Sequence, residues 1–312
     1  MILTRSPLRI TLGGGGTDIP GYYLEHGGFV LTAAIDKYVY VALQENFNAG
    51  LIVKYSEVER CLKADEVKHP IVREALKHLG IDSGLEIVSM ADVPAGTGLG
   101  SSGSFTTALL LALCSHSRVT IGKEPLAELA AVIEIEKLGE PVGRQDQYAA
   151  AFGGLQSFKF DREGISVEPI HVSPETVQSL QDGLMLFYTG QSRSASRTLS
   201  AKPLDVDALN QAKLLGVESL NAIEDGDLRH FAELLDHSWQ QKRKTLSTPE
   251  IDQMYCAGRK AGAIAGKLVG AGMGGFMMFF TENRMQLRRG MIDAGYRELP
   301  FAFDFAGATR VI

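Results

Sequence analysis

The chain has 312 residues, enough for one large domain or two ordinary ones, each with its own core. Hydrophobic content of 45% and charged content of 22% are those of a soluble globular protein, and a net charge of −6 argues against a sequence-independent nucleic-acid binder. Three scattered cysteines (Cys61, Cys114, Cys256) form neither a disulfide framework nor a metal site and suit a reducing cytoplasm; no leader peptide or membrane-length apolar run is read.

Met1 leads straight into strand-like sequence. Apolar, β-branched runs predict strands over 29–43, 51–55, 85–90 and 155–160. Helical periodicity predicts helices over 70–79, 104–115, 125–138 and 145–152. A second half opens near Asp182 with a strand over 184–188, followed by a long helical region from 208 to about 259. Strand-like runs at 275–280 and 301–305 flank a helix at 284–294. Strands beside helices without strict alternation predict an α+β protein and not a doubly wound sheet.

Residues 94–104, Pro94-Ala-Gly-Thr-Gly-Leu-Gly-Ser-Ser-Gly-Ser104, carry the strongest chemical signal. Glycines at 96, 98, 100 and 103 allow a tight turn whose N–H groups face one concavity, and the helix that follows adds unpaired donors and the positive end of its dipole. The Ser101 and Ser102 hydroxyls stand where a phosphate-bound Mg²⁺ needs oxygen ligands. This is a polyphosphate cradle without the Gly-Lys-Ser/Thr of a Walker loop. Gly98–Gly103 and Gly270–Gly275 also match the dinucleotide fingerprint, but the second leads into a strand. The first lacks the second strand and acidic residue that a Rossmann unit needs about 20 positions later.

Between 134 and 147, a helix ends near Gly139-Glu-Pro141 and another begins by Gln145. The turn between them can bring Glu134 and Asp146 to one site, and phosphoryl transfer uses such a pair, one carboxylate for Mg²⁺ and one for the attacking hydroxyl. Alone, two acids on helices have an ordinary structural explanation, whose weight falls sharply when a phosphate cradle precedes them.

With these motifs in place the chain resembles the galactokinase, homoserine kinase, mevalonate kinase and phosphomevalonate kinase (GHMP) superfamily. Three stretches appear in the family's order: 6–18, Ser6-Pro-Leu-Arg-Ile-Thr-Leu-Gly-Gly-Gly-Gly-Thr-Asp18; the loop 94–104; and 267–276, Lys267-Leu-Val-Gly-Ala-Gly-Met-Gly-Gly-Phe276. The resemblance implies a two-domain α+β fold, with an N-terminal ATP-binding domain (1–165) like ribosomal protein S5 and a C-terminal ferredoxin-like α/β sandwich (166–312). It implies ATP and Mg²⁺, with Pro94, Gly96, Gly98, Leu99, Gly100, Ser101, Ser102 and Gly103 at the nucleotide, and Ser102 and Glu134 at the metal. Glu136 is the reserve metal ligand. Asp146 becomes the base and Arg9 the cation beside it, while Gly15, Gly16, Thr17, Asp18 and Gly272 line the acceptor.

Gly15-Gly16 stands where galactokinases carry Glu-His, which removes hexose contacts and leaves space. That change, with Ile35-Asp-Lys-Tyr38, the run 143–153 and the run 188–197, resembles the heptose 7-phosphate kinase subgroup, whose members phosphorylate O1; L-fucose kinases share much of the pattern. Such a substrate needs a cation for its phosphate. Arg193 is the first candidate, ahead of Lys37, Arg144 and Arg197, while Tyr22, Tyr23 and Tyr148 either pack on the sugar or fill the core. The expected partner is a small sugar phosphate, with no nucleic acid or membrane, for a monomer or homodimer in the cytoplasm. A catalytically dead sugar sensor of the same fold is the alternative.

Overall fold

The computed structural model, which describes residues 1–192, 204–270 and 272–312, contains two sheets covered by helices. In the first, β1 (Ile2–Gly13) and β2 (Gly28–Glu45) pair antiparallel along most of their length, with α1 (Pro20–His26) in their connection. The 18 residues of β2 give it room for two partners on its far edge: β5 (Leu85–Ala91) takes 39–45 and β6 (Leu155–Phe160) takes 28–33. Outside these lie β3 (Leu51–Lys54), β4 (Val58–Cys61) and β7 (Ile165–Pro169). The expected domain division at 165/166 falls inside β7, and β12 (Thr309–Arg310) returns from the end of the chain to β1.

Four further helices precede β6: α2 (Pro70–His78), α3 (Ser101–His116), α4 (Lys123–Ala131) and α5 (Gln145–Phe152). The run from Phe105 to Leu113 is apolar on every side, and α3 is accordingly buried, packing Leu109, Leu110 and Leu113 among the residues of β2, β3 and β5. The helix predicted over 125–138 keeps α geometry only to Ala131; residues 132–137 widen into a π turn, with Leu138 N–H donating to Ile133 O.

The second sheet is antiparallel and runs β11–β8–β10–β9, built from β8 (Leu184–Tyr188), β9 (Ala265–Leu268), β10 (Phe276–Phe280) and β11 (Arg297–Leu299). In sequence order that is 4-1-3-2, the ferredoxin-like arrangement. Besides α6 (Pro174–Gly183), its helices are α7 (Val206–Glu224), α8 (Leu228–Leu246), α9 (Pro249–Lys260) and α10 (Arg284–Asp293). The single helical region predicted from 208 to 259 is therefore three helices. Each break is marked by a residue whose side chain accepts from the helix that follows, Asp227 from His230 N–H and Thr248 from Ile251 N–H.

The strand predicted over 301–305 is replaced by one bridge, Phe303 to Ile35. β5 and β6 leave 34–38 of β2 without a strand partner on that edge. The incoming chain fills this stretch with Asp36 N–H to Ala302 O at 2.8 Å and Asp304 N–H to Ala34 O at 2.9 Å. α7 packs closely on the first sheet: a Cβ on Gly13 would lie 2.8 Å from Gly216 Cα.

Candidate active site

The loop 94–100 leaves β5 and opens α3 with Gly98 and Gly100 in the left-handed region (φ 79° and 75°), so that Gly100 serves as N-cap without a side chain. Neither glycine has room for a methyl group. A Cβ on Gly98 would sit 2.5 Å from Val269 O, and one on Gly100 would meet Arg9 and Asp146 at 3.2–3.3 Å. The free N–H groups at the start of α3 and the helix dipole remain as the anion-binding element. Leu99 is a core residue that gives only its carbonyl, to Arg9 N–H at 3.0 Å, and Gly103 is the point where α3 touches α5, 2.8 Å from Asp146 Cβ for an added Cβ.

Arg9, on β1, is 5% exposed and joins this loop to α5. Its Nε and Nη2 both reach Asp146 Oδ1 at 2.7 Å, and its Nη1 donates to Gly98 O at 2.7 Å. Asp146 Oδ2 has no hydrogen bond among the described residues, and the side chain keeps 27% of its surface open. A guanidinium thus ties an accessible carboxylate to the phosphate loop.

The π turn after α4 turns Glu134 inward, where it is 2% exposed. It accepts from Ser102 Oγ and, at 3.0 Å, from Gln147 Nε2. Burial raises its pKa, against the hydrogen bonds from Ser102, Gln147 and Thr106. Pro94 is exposed and Ser101 half-buried, and neither side chain bonds Glu134. Glu136, the reserve ligand, points away and pairs with Arg144 at 3.4 Å.

Asp18 is buried, its oxygens taking Gln145 N–H and Gln145 Nε2, each at 3.0 Å. It therefore caps α5 from a distant part of the chain, where the neighbouring Arg144 provides no side-chain cap. Burial raises its pKa, and the charge of Asp146 adds to the effect. Thr17 is fully buried, bonding Gly14 O and Phe29 O at 2.8 Å, so it holds the glycine run in place. Gly15 and Gly16 face the space between Thr11, Leu209 and Lys242, whereas Gly272 packs on Leu246.

Of the phosphate candidates, Lys37 pairs with Asp36 and Arg144 with Glu128 and Glu136; Arg193 and Arg197 lie outside the described residues. Tyr22, Tyr23 and Tyr148 are all buried in one cluster with Phe158 and Phe160, which makes them core.

Two lysines escaped the sequence reading. Lys267, on β9, is 3% exposed and donates to Thr11 O at 3.1 Å and Leu12 O at 3.5 Å. Burial, with Lys242 and Arg9 nearby, lowers its pKa well below that of an ordinary lysine. Half-buried Lys242, on α8, donates to Gly15 O at 3.0 Å; desolvation lowers its pKa and the charge of Asp18 opposes that. A lysine inside the apolar run Ala265-Gly-Lys-Leu-Val269 was a usable signal for the first; the second sits in a helix already rich in lysine and arginine.

A family model for the GHMP kinases N terminal domain matches residues 66–154, and one for GHMP kinases C terminal matches 219–293. D-glycero-alpha-D-manno-heptose 7-phosphate kinase of Campylobacter jejuni is 29% identical, over 98% of this chain and 96% of its own. A crystal structure of a D-glycero-D-manno-heptose 1-phosphate kinase from Bacteroides thetaiotaomicron superposes with a TM-score of 0.85 at 26% identity, over 100% of this chain and 99% of that one. The bifunctional fucokinase/GDP-fucose pyrophosphorylase of Arabidopsis thaliana is 26% identical over 89% of this chain, which spans 29% of that longer protein. The chain belongs to the GHMP kinases and has their α+β fold. No helix among the described residues is long and apolar enough to cross a membrane.

Proposed function

We propose that this GHMP kinase transfers the γ-phosphoryl group of ATP to the anomeric (O1) hydroxyl of D-glycero-D-manno-heptose 7-phosphate, giving the 1,7-bisphosphate. The observation that carries the chemistry is the Arg9 bridge between Asp146 and the carbonyl of Gly98. Both contacts to the carboxylate fall on Oδ1, which leaves Oδ2 to accept the proton of the sugar hydroxyl. As the sugar O1 forms its bond to the γ-phosphorus, the bond to ADP breaks and the O1 proton passes to Asp146 Oδ2. Arg9 and the N–H groups at the start of α3 face the negative charge that develops on the transferring group.

The residues present also fit Mg²⁺. Ser102 Oγ and Glu134 are hard oxygen donors already in contact, and beside them Gln147 Oε1 is buried without a partner. Among the described residues no three His, Cys, Asp or Glu side chains gather as a metal site, which suits an ion that takes its other ligands from phosphate and water. Bound there, Mg²⁺ would offset phosphate charge.

The substrate reading is supported by the similarity to named heptose-phosphate kinases and by the absence of polar side chains at Gly15 and Gly16. The likeness to fucokinase favours a free deoxyhexose as second reading. ATP consumption with Mg²⁺ on the heptose 7-phosphate, L-fucose and D-galactose tests both. Turnover with the heptose phosphate alone is expected; turnover with a free sugar keeps the kinase and removes this acceptor, and inactivity on all three supports a sugar sensor.

A further inference from the structure

Arg9, Lys242 and Lys267 form a cationic row across the seam between the two sheets. Each pair of neighbours is close enough for its charges to interact: Lys267 feels both Lys242 and Arg9. Among the described residues only Arg9 has a carboxylate partner. Lys267 spends its protons on the carbonyls of Thr11 and Leu12 and is closed to solvent. Lys242 is different. One of its three N–H donors goes to Gly15 O, and no carboxylate pairs with it among the described residues. Asp18, the acid whose charge acts on it, already has both oxygens on Gln145.

The position of the ammonium is as informative as its lack of a partner. It stands beside Gly15, where an added Cβ would lie 3.8 Å from Nζ and 3.1 Å from Thr11 Cγ2. The nucleotide loop is on the other side of Arg9, reached through Gly98. An anion meeting Lys242 therefore arrives with the acceptor and not with the nucleotide.

We infer that Lys242 is a specificity-determining cation that binds the acceptor's own phosphomonoester, remote from the hydroxyl that reacts. The inference rests on the sugar-phosphate reading above and deepens it. The phosphate takes the free N–H donors of Lys242 and supplies the anion that this part of the seam lacks. A free sugar leaves the ammonium without that partner and gains nothing from it.

The test compares the intact protein with Lys242→Met, which keeps the apolar stem, and with Lys242→Arg, on heptose 7-phosphate and on the same heptose without phosphate. The expected result is a fall of about 30-fold in the ratio of kcat/KM for the phosphorylated over the free sugar in Lys242→Met, driven by KM. Lys242→Arg should recover part of it, and the KM for ATP should stay within about threefold in both. Calorimetric titration of heptose 7-phosphate without ATP should show the same loss, in protein whose melting curve remains cooperative. An unchanged ratio in a wild type that does use heptose 7-phosphate overturns the role of Lys242 and leaves the kinase reading intact. A wild type that ignores the substrate phosphate overturns the acceptor assignment itself, and this inference with it.

Discussion

Adding one methyl group at Gly143 should disable the site from a position that touches no substrate. A Cβ there would lie 1.9 Å from Asp18 Oδ2 and 2.2 Å from its Cγ. The Asp18 carboxylate must retreat by about 1.5 Å to reach ordinary contact. That breaks the hydrogen bonds from Gln145 N–H and Nε2, each now 3.0 Å. Hydrogen bonds to a charged acceptor are worth roughly 1.5–3 kcal/mol each, and water can replace part of what is lost, so Gly143→Ala should cost about 2–4 kcal/mol. In a protein this size the melting temperature should fall by roughly 3–6 °C. With its cap displaced, the start of α5 moves, and Asp146 moves with it; a displacement near 1 Å is enough to lower kcat/KM about 100-fold. Calorimetric melting and steady-state kinetics read the two effects, and Gly21→Ala, whose Cβ meets nothing within 4 Å, provides the control. A Gly143→Ala enzyme with the wild-type melting temperature and kcat/KM would falsify the claim that Asp18 holds the base in place.

Asp146→Asn should lower kcat by about 10²–10⁴-fold while nucleotide affinity changes by less than about threefold, and full activity would remove Asp146 from the mechanism. Glu134→Gln should abolish the strengthening of nucleotide binding by Mg²⁺; a titration in which Mg²⁺ still helps as much as in the wild type refutes its role as ligand. The same variant has a pH signature. Because burial raises the folded pKa of Glu134 above its usual 4.5, the stability it contributes is present below pH 4.5 and lost as pH rises through the folded value. The wild type should therefore gain on Glu134→Gln as melting is followed from pH 7 downward, and a constant gap counts against it. Lys267 has the opposite sense: its folded pKa is depressed, so its contribution is present above 10.5 and lost as pH falls toward the folded value. The difference in stability between wild type and Lys267→Met should therefore shift in favour of the wild type from pH 7 toward pH 10.5; a shift in the other direction would refute this.

Local signals and long-range ones were not equally legible in the chain. Residues 94–104 announced their loop because glycines with left-handed backbone and a helix start are local properties, and Glu134 and Asp146 were placed by the helix break between them. The part Asp18 plays was not local. Its resemblance to a sugar-binding aspartate was visible, but its position under α5 depends on Gly143, 125 residues away, having no side chain. The run 301–305 was misread for a related reason: its apolar residues look like a strand, and whether they pair depends on how much of the β2 edge β5 and β6 leave free. Lys242 carried the least warning, since nothing local marks one lysine of a basic helix as the half-buried one that donates to Gly15 O.

That closure explains why a glycine run in the second half belongs to a site built mainly by the first. The run at 270–275 leads into β10 and not into a helix, so it lacks the helix start that follows 96–100. Its glycines instead let two backbones touch: a Cβ on Gly270 would lie 2.6 Å from Gly98 Cα, and one on Gly275 only 2.2 Å from Thr97 O. The nucleotide loop is therefore braced along its outer side by the second sheet, while Lys267, from the strand just before, holds the end of β1. Arg9 is on that same strand, between the brace and the base. The loop's geometry and the direction of the Arg9 guanidinium are thus fixed by one interface, and a change that loosens the seam should disturb the phosphate site and the base together.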